Sequence, residues 1–310
     1  MKLVVKNIKA VGTIGVFDGV HRGHQYLLRR LCDDARQRGW RSVVVTFDRH
    51  PREVLQSGWH PELLTTLDER LRLLKATGID ECVVLPFTHE MAAQSAQTFM
   101  RETLLERLHI CRLSIGYDHR FGHDRAEGFE QYVRYGRDMG MEVVQNDAFC
   151  PDGQRLSSSV IRHLLNTGDV AGAATCLGRA YSLSGTVVGG EHVGRTLGFP
   201  TANLRVDHPD KIIPAPGVYA VHVFIDGTDE ALPAMMNIGT RPTYGPHDVT
   251  LEVHILDFSG DLYGHQLTVA FASRLRDEQP FTSGEALRRQ LADDARLVRE
   301  RLVEERSVPQ

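Results

Sequence analysis

In the first half of the chain, short runs of apolar, β-branched residues alternate with stretches in which apolar residues recur every three or four positions. One helical stretch runs from Tyr26 to Ala35 and stops at Gly39, and another opens with the capping-box pair Thr66 and Glu69. Strands that alternate with helices favour an α/β doubly wound domain, in which helices cover both faces of a parallel sheet. The predicted strands are Val11–Phe17, Ser42–Phe47, Cys82–Leu85, Arg112–Ile115 and Glu142–Val144.

The pattern changes near Tyr181, where short β-rich segments separated by Gly, Pro and Asp turns begin. This spacing predicts a small antiparallel β-barrel. A C-terminal helix is predicted to close the domain, and it starts at the capping-box pair Thr282 and Glu285. The predicted barrel strands are Leu183–Val188, Gly217–Ile225, Ala234–Asn237, Leu251–Leu256 and Gln266–Phe271.

A helical stretch, Val160–Leu177, connects the two patterns and is broken at Gly168 and Asp169. Because the change of pattern follows directly after this stretch, we place the domain boundary near Ala180. The sequence therefore predicts two domains, residues 1–180 and residues 181–310, each of ordinary size.

The composition is that of a globular protein, with 42% hydrophobic and 25% charged residues among 310. The formal net charge of -4 argues against a general nucleic-acid binder, since such proteins carry a basic surplus. No apolar run is long enough to be a signal peptide or to span a bilayer, so we expect a cytoplasmic protein with no membrane partner. The oligomeric state is left open. We expect reduced, mostly buried thiols at the five scattered cysteines, Cys32, Cys82, Cys111, Cys150 and Cys176.

The segment Gly15–His24 contains glycines and two histidines at the point where the first predicted strand ends and a helix begins. In an open parallel sheet this is the place for a nucleotide, because glycines let the backbone approach phosphates and the helix N-terminus favours anions. His21 and His24 can both face that point and donate hydrogen bonds to an α-phosphate as charge develops on it. A metal-binding pair is the alternative, although the sequence places no third ligand.

The His-x-Gly-His element resembles the signature of nucleotidylyl transferases. The longer string Gly15–His24 resembles the adenylyltransferase half of bacterial bifunctional riboflavin kinase/FAD synthetases, as do Gly116–Gly122 and Ser157–Arg162. The resemblance implies that His21 and His24 are catalytic. The residues that it implies for nucleotide binding are Gly15, Phe17, Asp18, Gly23, Asp118, Ser158, Ser159 and Arg162.

A second glycine-rich string, Gly185–Asn203, ends in Phe-Pro-Thr-Ala-Asn. Flexible backbone at Gly194 beside Arg195 could fold over a polyphosphate. On an extended chain Thr201 and Asn203 point to the same side, and a hydroxyl with an amide oxygen suits Mg²⁺ that also carries phosphate oxygens. A long hairpin loop without a ligand is the alternative interpretation.

This second string closely resembles the riboflavin kinase signature. Glu252 lies in an alternating strand, where a carboxylate is most often merely solvent-facing. By the resemblance, Glu252 is the kinase's general base. Phosphoryl transfer permits that role, because it needs positioning, charge neutralisation and an acceptor for the hydroxyl proton. The neighbouring His254 is predicted to point the same way as Glu252.

The combined resemblance implies a bifunctional enzyme. Riboflavin and ATP would give FMN at the barrel, and FMN and ATP would give FAD and pyrophosphate at the first domain, both with Mg²⁺. Two departures, Val16 for a frequent asparagine and His119 for phenylalanine, leave open an enzyme with kinase activity alone. A nucleotidylyl transferase that acts on a different precursor and a non-catalytic flavin-binding protein also stay open.

Overall fold

A computed structural model describes residues 8–56, 58–117, 119–123, 127–150, 156–190, 194, 197–240 and 249–307. The chain forms two compact units, Met1–Ser158 and Ser159–Gln310. No helix in the described part of the chain is both long and apolar enough to cross a membrane.

The first unit contains a five-stranded parallel sheet in the order β3-β2-β1-β4-β5. The predicted strands are confirmed, although the first ends at Ile14 instead of Phe17, because Phe17 already belongs to the turn that follows the strand. The strands are β1 Ala10–Ile14, β2 Arg41–Phe47, β3 Glu81–Leu85, β4 Ile110–Ile115 and β5 Glu142–Gln145.

Helices cover both faces of this sheet, as the sequence predicts. The alternation along β2 shows it directly: Val43 and Val45 belong to one apolar core, whereas Val44 belongs to the core on the opposite face. The capping box of Thr66 and Glu69 is present at the start of α3. The helical segments are α1 Arg22–Arg38, α2 Pro51–Leu55, α3 Leu67–Ala76, α4 His89–Ala92, α5 Ala96–Thr98, the π-helix Phe99–Arg107 and α6 Phe129–Met139.

The strand order reverses at β1, which lies between β2 and β4. In open parallel sheets this reversal opens a crevice beyond the carboxyl ends of the two central strands, and ligands bind there. The segments that follow these two ends are Gly15–His24 after β1 and Gly116–Gly122 after β4. The topology therefore brings together two segments that the sequence singles out.

The second unit is a closed antiparallel barrel with strand order β10-β7-β6-β11-β8-β9. It is preceded by two helices separated at Gly168, which has a φ of 82°, and at Asp169, whose side chain caps the second helix. These elements are α7 Ser158–Asn166, α8 Val170–Leu177, β6 Ser182–Val188, β7 Ala202–Val206, β8 Gly217–Ile225, β9 Leu232–Thr240, β10 Val249–Ile255, β11 Gln266–Arg276 and α9 Gly284–Ser307.

Two expectations are corrected by the structure. The start of α9 is capped by Ser283, whose hydroxyl accepts a hydrogen bond from the Ala286 amide at 3.1 Å, and the predicted cap Thr282 lies one residue too early. The cysteines are free, but they are not mostly buried: Cys150 is exposed and the other four are half-buried.

Candidate active sites in the two domains

The turn after β1 has an unusual backbone. Phe17 and Val20 have positive φ angles of 55° and 39°, on either side of Gly19 at 82°. Only glycine adopts such angles without strain, and strained residues persist where the surroundings over-determine them. The Val20 amide closes the turn by donating to the Phe17 carbonyl at 3.0 Å. The turn is therefore held in one fixed shape at the crevice.

Asp18 holds the turn after β1 in this shape through several hydrogen bonds. Its carboxylate is buried and accepts hydrogen bonds from the Leu64 amide at 3.1 Å and from the amide and hydroxyl of Thr65 at 2.9 and 3.0 Å. The Thr65 hydroxyl also accepts from the Gly19 amide, and the Ser158 hydroxyl donates to the Asp18 carbonyl, both at 2.9 Å. Asp18 thus shapes the turn, and its predicted contact with the nucleotide stays a prediction.

His21 and His24 form a stacked pair at the start of α1. Their ring centroids lie 3.7 Å apart at an interplanar angle of 19°. His21 is the N-cap, and its Nδ1 accepts a hydrogen bond from the His24 amide at 3.3 Å. A Cβ at Gly23, between them, would lie 3.1 Å from the His21 ring, so a side chain there would press on this ring. Two imidazoles and the leading amides of α1 therefore converge where an anion binds favourably.

The protonation of this pair follows from its surroundings. Because Nδ1 of His21 accepts a hydrogen bond, a neutral His21 carries its proton on Nε2. Nδ1 of His24 is buried and has no hydrogen-bond partner among the described residues. Burial holds the pKa of His24 well below 6.5, and the nearby His21 and His119 lower this pKa further. At neutral pH, His24 is therefore an uncharged imidazole that can donate one hydrogen bond.

The loop after β4 is fixed by aromatic packing. The Phe121 ring stacks on Tyr132 with centroids 4.3 Å apart, and the Phe121 amide donates to the Tyr132 hydroxyl at 3.0 Å. Gly122 has a φ of 88°, and a Cβ there would lie 2.7 Å from the Ala96 amide nitrogen. His119 is held in a turn by its amide, which donates to the Gly116 carbonyl. The predicted site residue Asp118 lies outside the described residues.

The remaining first-domain candidates have defined positions. Gly15 continues the sheet by donating its amide to the Val45 carbonyl at 3.0 Å, and a Cβ there would lie 3.1 Å from the buried Phe17 ring. Ser159 is exposed and Arg162 is half-buried, and both lie in α7 within the second compact unit, Ser159–Gln310. Their predicted contacts with ATP stay predictions.

In the second domain, three polar residues stand side by side on neighbouring strands. Glu252 on β10 pairs directly with Asn203 on β7 and with Asn237 on β9. Along β10 the buried residues alternate with Glu252, so its side chain lies on the outer face of the barrel. The closed barrel therefore places the predicted general base beside a predicted metal ligand.

The residues before β7 bring Thr201 to the same place. The Gly194 carbonyl accepts hydrogen bonds from the amides of Leu197 and Phe199, which closes the turn that leads into the strand. A Cβ at Gly194 would lie 2.3 Å from the Phe199 carbonyl oxygen. The Thr201 hydroxyl then lies 3.4 Å from Oε2 of Glu252. Arg195 lies outside the described residues.

His254 faces the same side as Glu252, as predicted. Its Nδ1 lies 2.7 Å from the Pro200 carbonyl oxygen, and its ring meets Phe199 edge-on with centroids 5.3 Å apart. His254 therefore fixes the chain just before Thr201.

Asn203 is packed against glycine backbone. A Cβ at Gly190 would lie only 1.9 Å from Nδ2 of Asn203. The oxygen donors at this point are the Thr201 hydroxyl, the Asn203 amide and the Glu252 carboxylate. These three oxygen donors are hard ligands and carry little total charge. They therefore fit an Mg²⁺ ion that takes its remaining ligands from phosphate and water. No cluster of three or more His, Cys, Asp or Glu residues suited to a metal occurs among the described residues.

A cavity of ≈ 300 Å³ lies between this outer face of the barrel and α9. Polar and apolar residues contribute to its lining in similar numbers. The polar lining residues are Thr201, Asn237, Glu252, His254, Arg276, Glu278, Gln279 and Asp294. The apolar lining residues are Leu197, Phe199, Val218, Met235, Phe281, Leu287 and Leu291.

One wall of this cavity is an ion pair that sequence reasoning missed. Asp294 on α9 is fully buried, and both its oxygens accept hydrogen bonds from Arg276 at 2.7–3.1 Å. The sequence does contain a sign of the buried carboxylate, because Asp294 interrupts the apolar stripe of α9 between Leu291 and Val298. Asn237 was missed as a site residue for another reason: only the register of β9 against β10 brings it to Glu252.

Comparison with known proteins agrees with this division into two sites. The FAD synthetase family model matches residues 4–160, and the riboflavin kinase family model matches residues 177–302. The domain boundary near Ala180 stays a prediction, since the compact units divide after Ser158.

Similar proteins match over nearly the whole chain. Bifunctional riboflavin kinase/FMN adenylyltransferases from Escherichia coli K12 and Pseudomonas fluorescens are both 39% identical, over 93% of this chain and 91% and 92% of their own lengths. A crystal structure titled as a macrolide-efflux protein from Streptococcus pneumoniae has a TM-score of 0.87 and 32% identity, covering 96% of both chains. The chain therefore belongs to the family of bifunctional riboflavin kinase/FMN adenylyltransferases.

Proposed function

We propose that the chain phosphorylates riboflavin to FMN at the Glu252 site and adenylylates FMN to FAD at the His21–His24 site. ATP is the co-substrate of both reactions, and Mg²⁺ is required for both. The observation that carries the proposal is that each of the two matching family models encloses one of the two sites. The order of the reactions follows from their chemistry, because the product of the first is the acceptor of the second.

In the kinase reaction, Glu252 is the group that accepts the proton of the attacking riboflavin hydroxyl. The oxygen of that hydroxyl forms a bond to the γ-phosphorus of ATP, and ADP leaves. The apolar side chains in the cavity beside Glu252 suit the flavin rings, whereas Thr201 and Asn203 are the residues that would hold Mg²⁺. Bound there, Mg²⁺ would neutralise phosphate charge. The chain itself contributes by holding the Glu252 carboxylate in position against the attacking riboflavin hydroxyl.

In the adenylyl transfer, an oxygen of the FMN phosphate attacks the α-phosphorus of ATP, and the bond to the departing pyrophosphate breaks. No enzyme nucleophile is needed. His21 and His24 donate hydrogen bonds to the α-phosphate as its charge grows, from positions already fixed by their stacking and by the N-cap bond. The Asp18-held turn keeps glycine backbone beside that phosphate.

The direct test is to incubate the full chain with riboflavin, ATP and Mg²⁺ and to separate the flavins over time. FMN is expected first and FAD later, and chelation of the metal should stop both. FMN without FAD would support the kinase-only alternative that Val16 and His119 raise. Unchanged riboflavin would overturn the proposal.

A further inference from the structure

One wall of the cavity beside Glu252 is a short segment that leaves the barrel and enters α9. β11 ends at Arg276 and α9 begins at Gly284, and residues 277–283, here called the connecting segment, join them. The side chains that this segment contributes to the cavity are those of Glu278, Gln279 and Phe281. Irregular backbone does not fix a side chain as a strand does. The position of this wall therefore depends on what holds the connecting segment.

The buried carboxylate of Asp294 joins the end of β11 and the connecting segment to α9. Both its oxygens accept hydrogen bonds from Arg276, the last residue of β11. Oδ1 of Asp294 also accepts from Nε2 of Gln290 at 2.9 Å. Oε1 of Gln290 in turn accepts from Nε2 of Gln279 at 3.2 Å. One carboxylate is therefore the centre of a network that spans all three elements.

The guanidinium of Arg276 contacts both ends of the connecting segment. Its Nη1 donates a hydrogen bond to the Asp277 carbonyl at 2.9 Å. Its Cζ lies 5.9 Å from the centroid of the Phe281 ring, within the range of a cation–π contact. A planar guanidinium that is held by two parallel hydrogen bonds to a carboxylate has one fixed orientation. The pair with Asp294 therefore fixes the group that holds the start of the segment and an aromatic ring near its end.

The connecting segment reaches the residues next to the proposed general base. Oε1 of Glu278 accepts a hydrogen bond from Nδ2 of Asn237 at 3.2 Å, and Asn237 lies directly across the β9–β10 ladder from Glu252. A Cβ at Gly239 would lie only 2.7 Å from the same Oε1, so Glu278 lies close against β9. A shift of the segment would therefore disturb the surroundings of Glu252.

The attachment of α9 to the barrel does not depend on this buried ion pair alone. The helix also packs through the buried apolar residues Ala295, Val298 and Leu302. Burial of two charges costs much of what their attraction returns, and apolar residues of similar volume often stabilise a protein equally well. The geometry of the pair is therefore better explained by the segment that it positions than by stability.

We propose that Arg276 and Asp294 are positioning residues of the kinase reaction, which hold the connecting segment so that the cavity beside Glu252 keeps the shape that binds riboflavin. The inference rests on the proposed kinase function. The pair acts through the side chains of Glu278 and Phe281, and the transferred phosphoryl group is handled elsewhere, at Glu252 and the predicted Mg²⁺ ligands. Loss of the pair should therefore affect riboflavin and leave ATP almost unaffected.

The test replaces the pair with apolar residues in the double variant Arg276→Met/Asp294→Leu, because such a replacement often preserves stability. The matched control is Arg299→Met/Asp257→Asn, which removes an exposed ion pair between the same helix and the barrel, with distances of 3.0 Å. Asparagine suits the φ of 57° at Asp257. In the first variant the KM for riboflavin should rise about tenfold, the ordinary size of one lost hydrogen bond. The KM for ATP should stay within about twofold.

The control variant should behave as the parent, and FMN adenylylation should be unchanged in every variant. Arg276→Lys keeps the charge but lacks the planar fork of donors, so its KM for riboflavin should lie between those of the parent and the double variant. This single variant decides the question if the double variant does not fold. An unchanged KM for riboflavin would overturn the inference. So would a parallel rise of both KM values with a lower melting temperature, which marks a general packing role.

Failure of the proposed function gives a different result. If the parent does not phosphorylate riboflavin, the kinase assignment fails, and crystal structures of the parent and the variants decide whether the pair positions the segment. The hydrogen bond between Glu278 and Asn237 should be present in the parent and in the control variant. It should be absent from Arg276→Met/Asp294→Leu, with the Phe281 ring displaced. An unchanged connecting segment in that variant would overturn the inference.

Discussion

Glu252 lies directly across the β7–β10 ladder from Asn203, and both face the outside of the barrel. Directly opposed residues of an antiparallel pair have Cβ atoms about 4.5–5.5 Å apart. The ladder therefore sets the distance between the predicted general base and a predicted Mg²⁺ ligand without any flexible loop. Thr201, one residue before β7, adds its hydroxyl at 3.4 Å from Glu252.

The first prediction concerns Glu252. Glu252→Gln keeps the shape of the side chain and removes the proton acceptor, so riboflavin phosphorylation should fall about 10²–10⁴-fold. FAD formation from supplied FMN should be unaffected, and initial rates of both reactions measure this. Glu230→Gln, at an exposed position between β8 and β9 of the same domain, is the matched control. A kinase rate within a few-fold of the parent would remove Glu252 from the mechanism.

The second prediction concerns His24. His24→Ala should lower FAD formation from FMN about 10²–10³-fold, because one preorganised donor to the α-phosphate is lost. ATP affinity should change less than the rate, since the interaction strengthens in the transition state. Riboflavin phosphorylation should be nearly intact, and the exposed His60→Ala should change neither reaction. Collapse of both activities would instead show that His24 is a folding residue.

The third prediction uses two neighbouring glycines. Gly190→Ala forces a methyl group onto Asn203, 1.9 Å from its amide nitrogen, whereas a Cβ at Gly189 meets nothing within 4 Å. A misplacement of about 1 Å can cost about 10²-fold in rate, so Gly190→Ala should strongly reduce kinase activity and raise the Mg²⁺ concentration required. Gly189→Ala should resemble the parent in the same titration. Two variants with equal activity would show that the position of Asn203 is unimportant.

The fourth prediction concerns pH. The pKa of His24 in the folded protein is well below 6.5 because of burial. The unfolded chain therefore binds a proton at this residue at pH values where the folded protein does not, and acid favours unfolding. The stabilising contribution of neutral His24 is complete above about pH 6.5 and is lost as the pH falls towards the folded-state pKa.

Calorimetry between about pH 7.5 and 5 tests this sign, since it spans the ordinary histidine pKa. The first-domain transition of His24→Asn should lose less stability on acidification than that of the parent. The exposed His60→Asn should follow the parent. An equal slope for His24→Asn and the parent would contradict the low pKa.

The sequence predicts those features that local chemistry determines. The capping box of Thr66 and Glu69 and the break at Gly168 form as expected, because each depends on residues a few positions apart. Features that depend on contacts between distant parts of the chain could not be predicted from the sequence. The strand Ala202–Val206 has no clear periodic pattern and exists because β6 and β10 pair with it. Equally, nothing local shows that the Asp18 carboxylate is engaged by Leu64 and Thr65.

The central claim is that two separate sites, one in each domain, act in sequence. Its most direct test is complementation with riboflavin, ATP and Mg²⁺ as the starting materials. Glu252→Gln alone should make almost no FMN or FAD, and His24→Ala alone should accumulate FMN. An equimolar mixture of the two variants should convert riboflavin to FAD, because FMN made by one protein is used by the other. FAD from either variant alone at the parent rate, or no FAD from the mixture, would contradict the account.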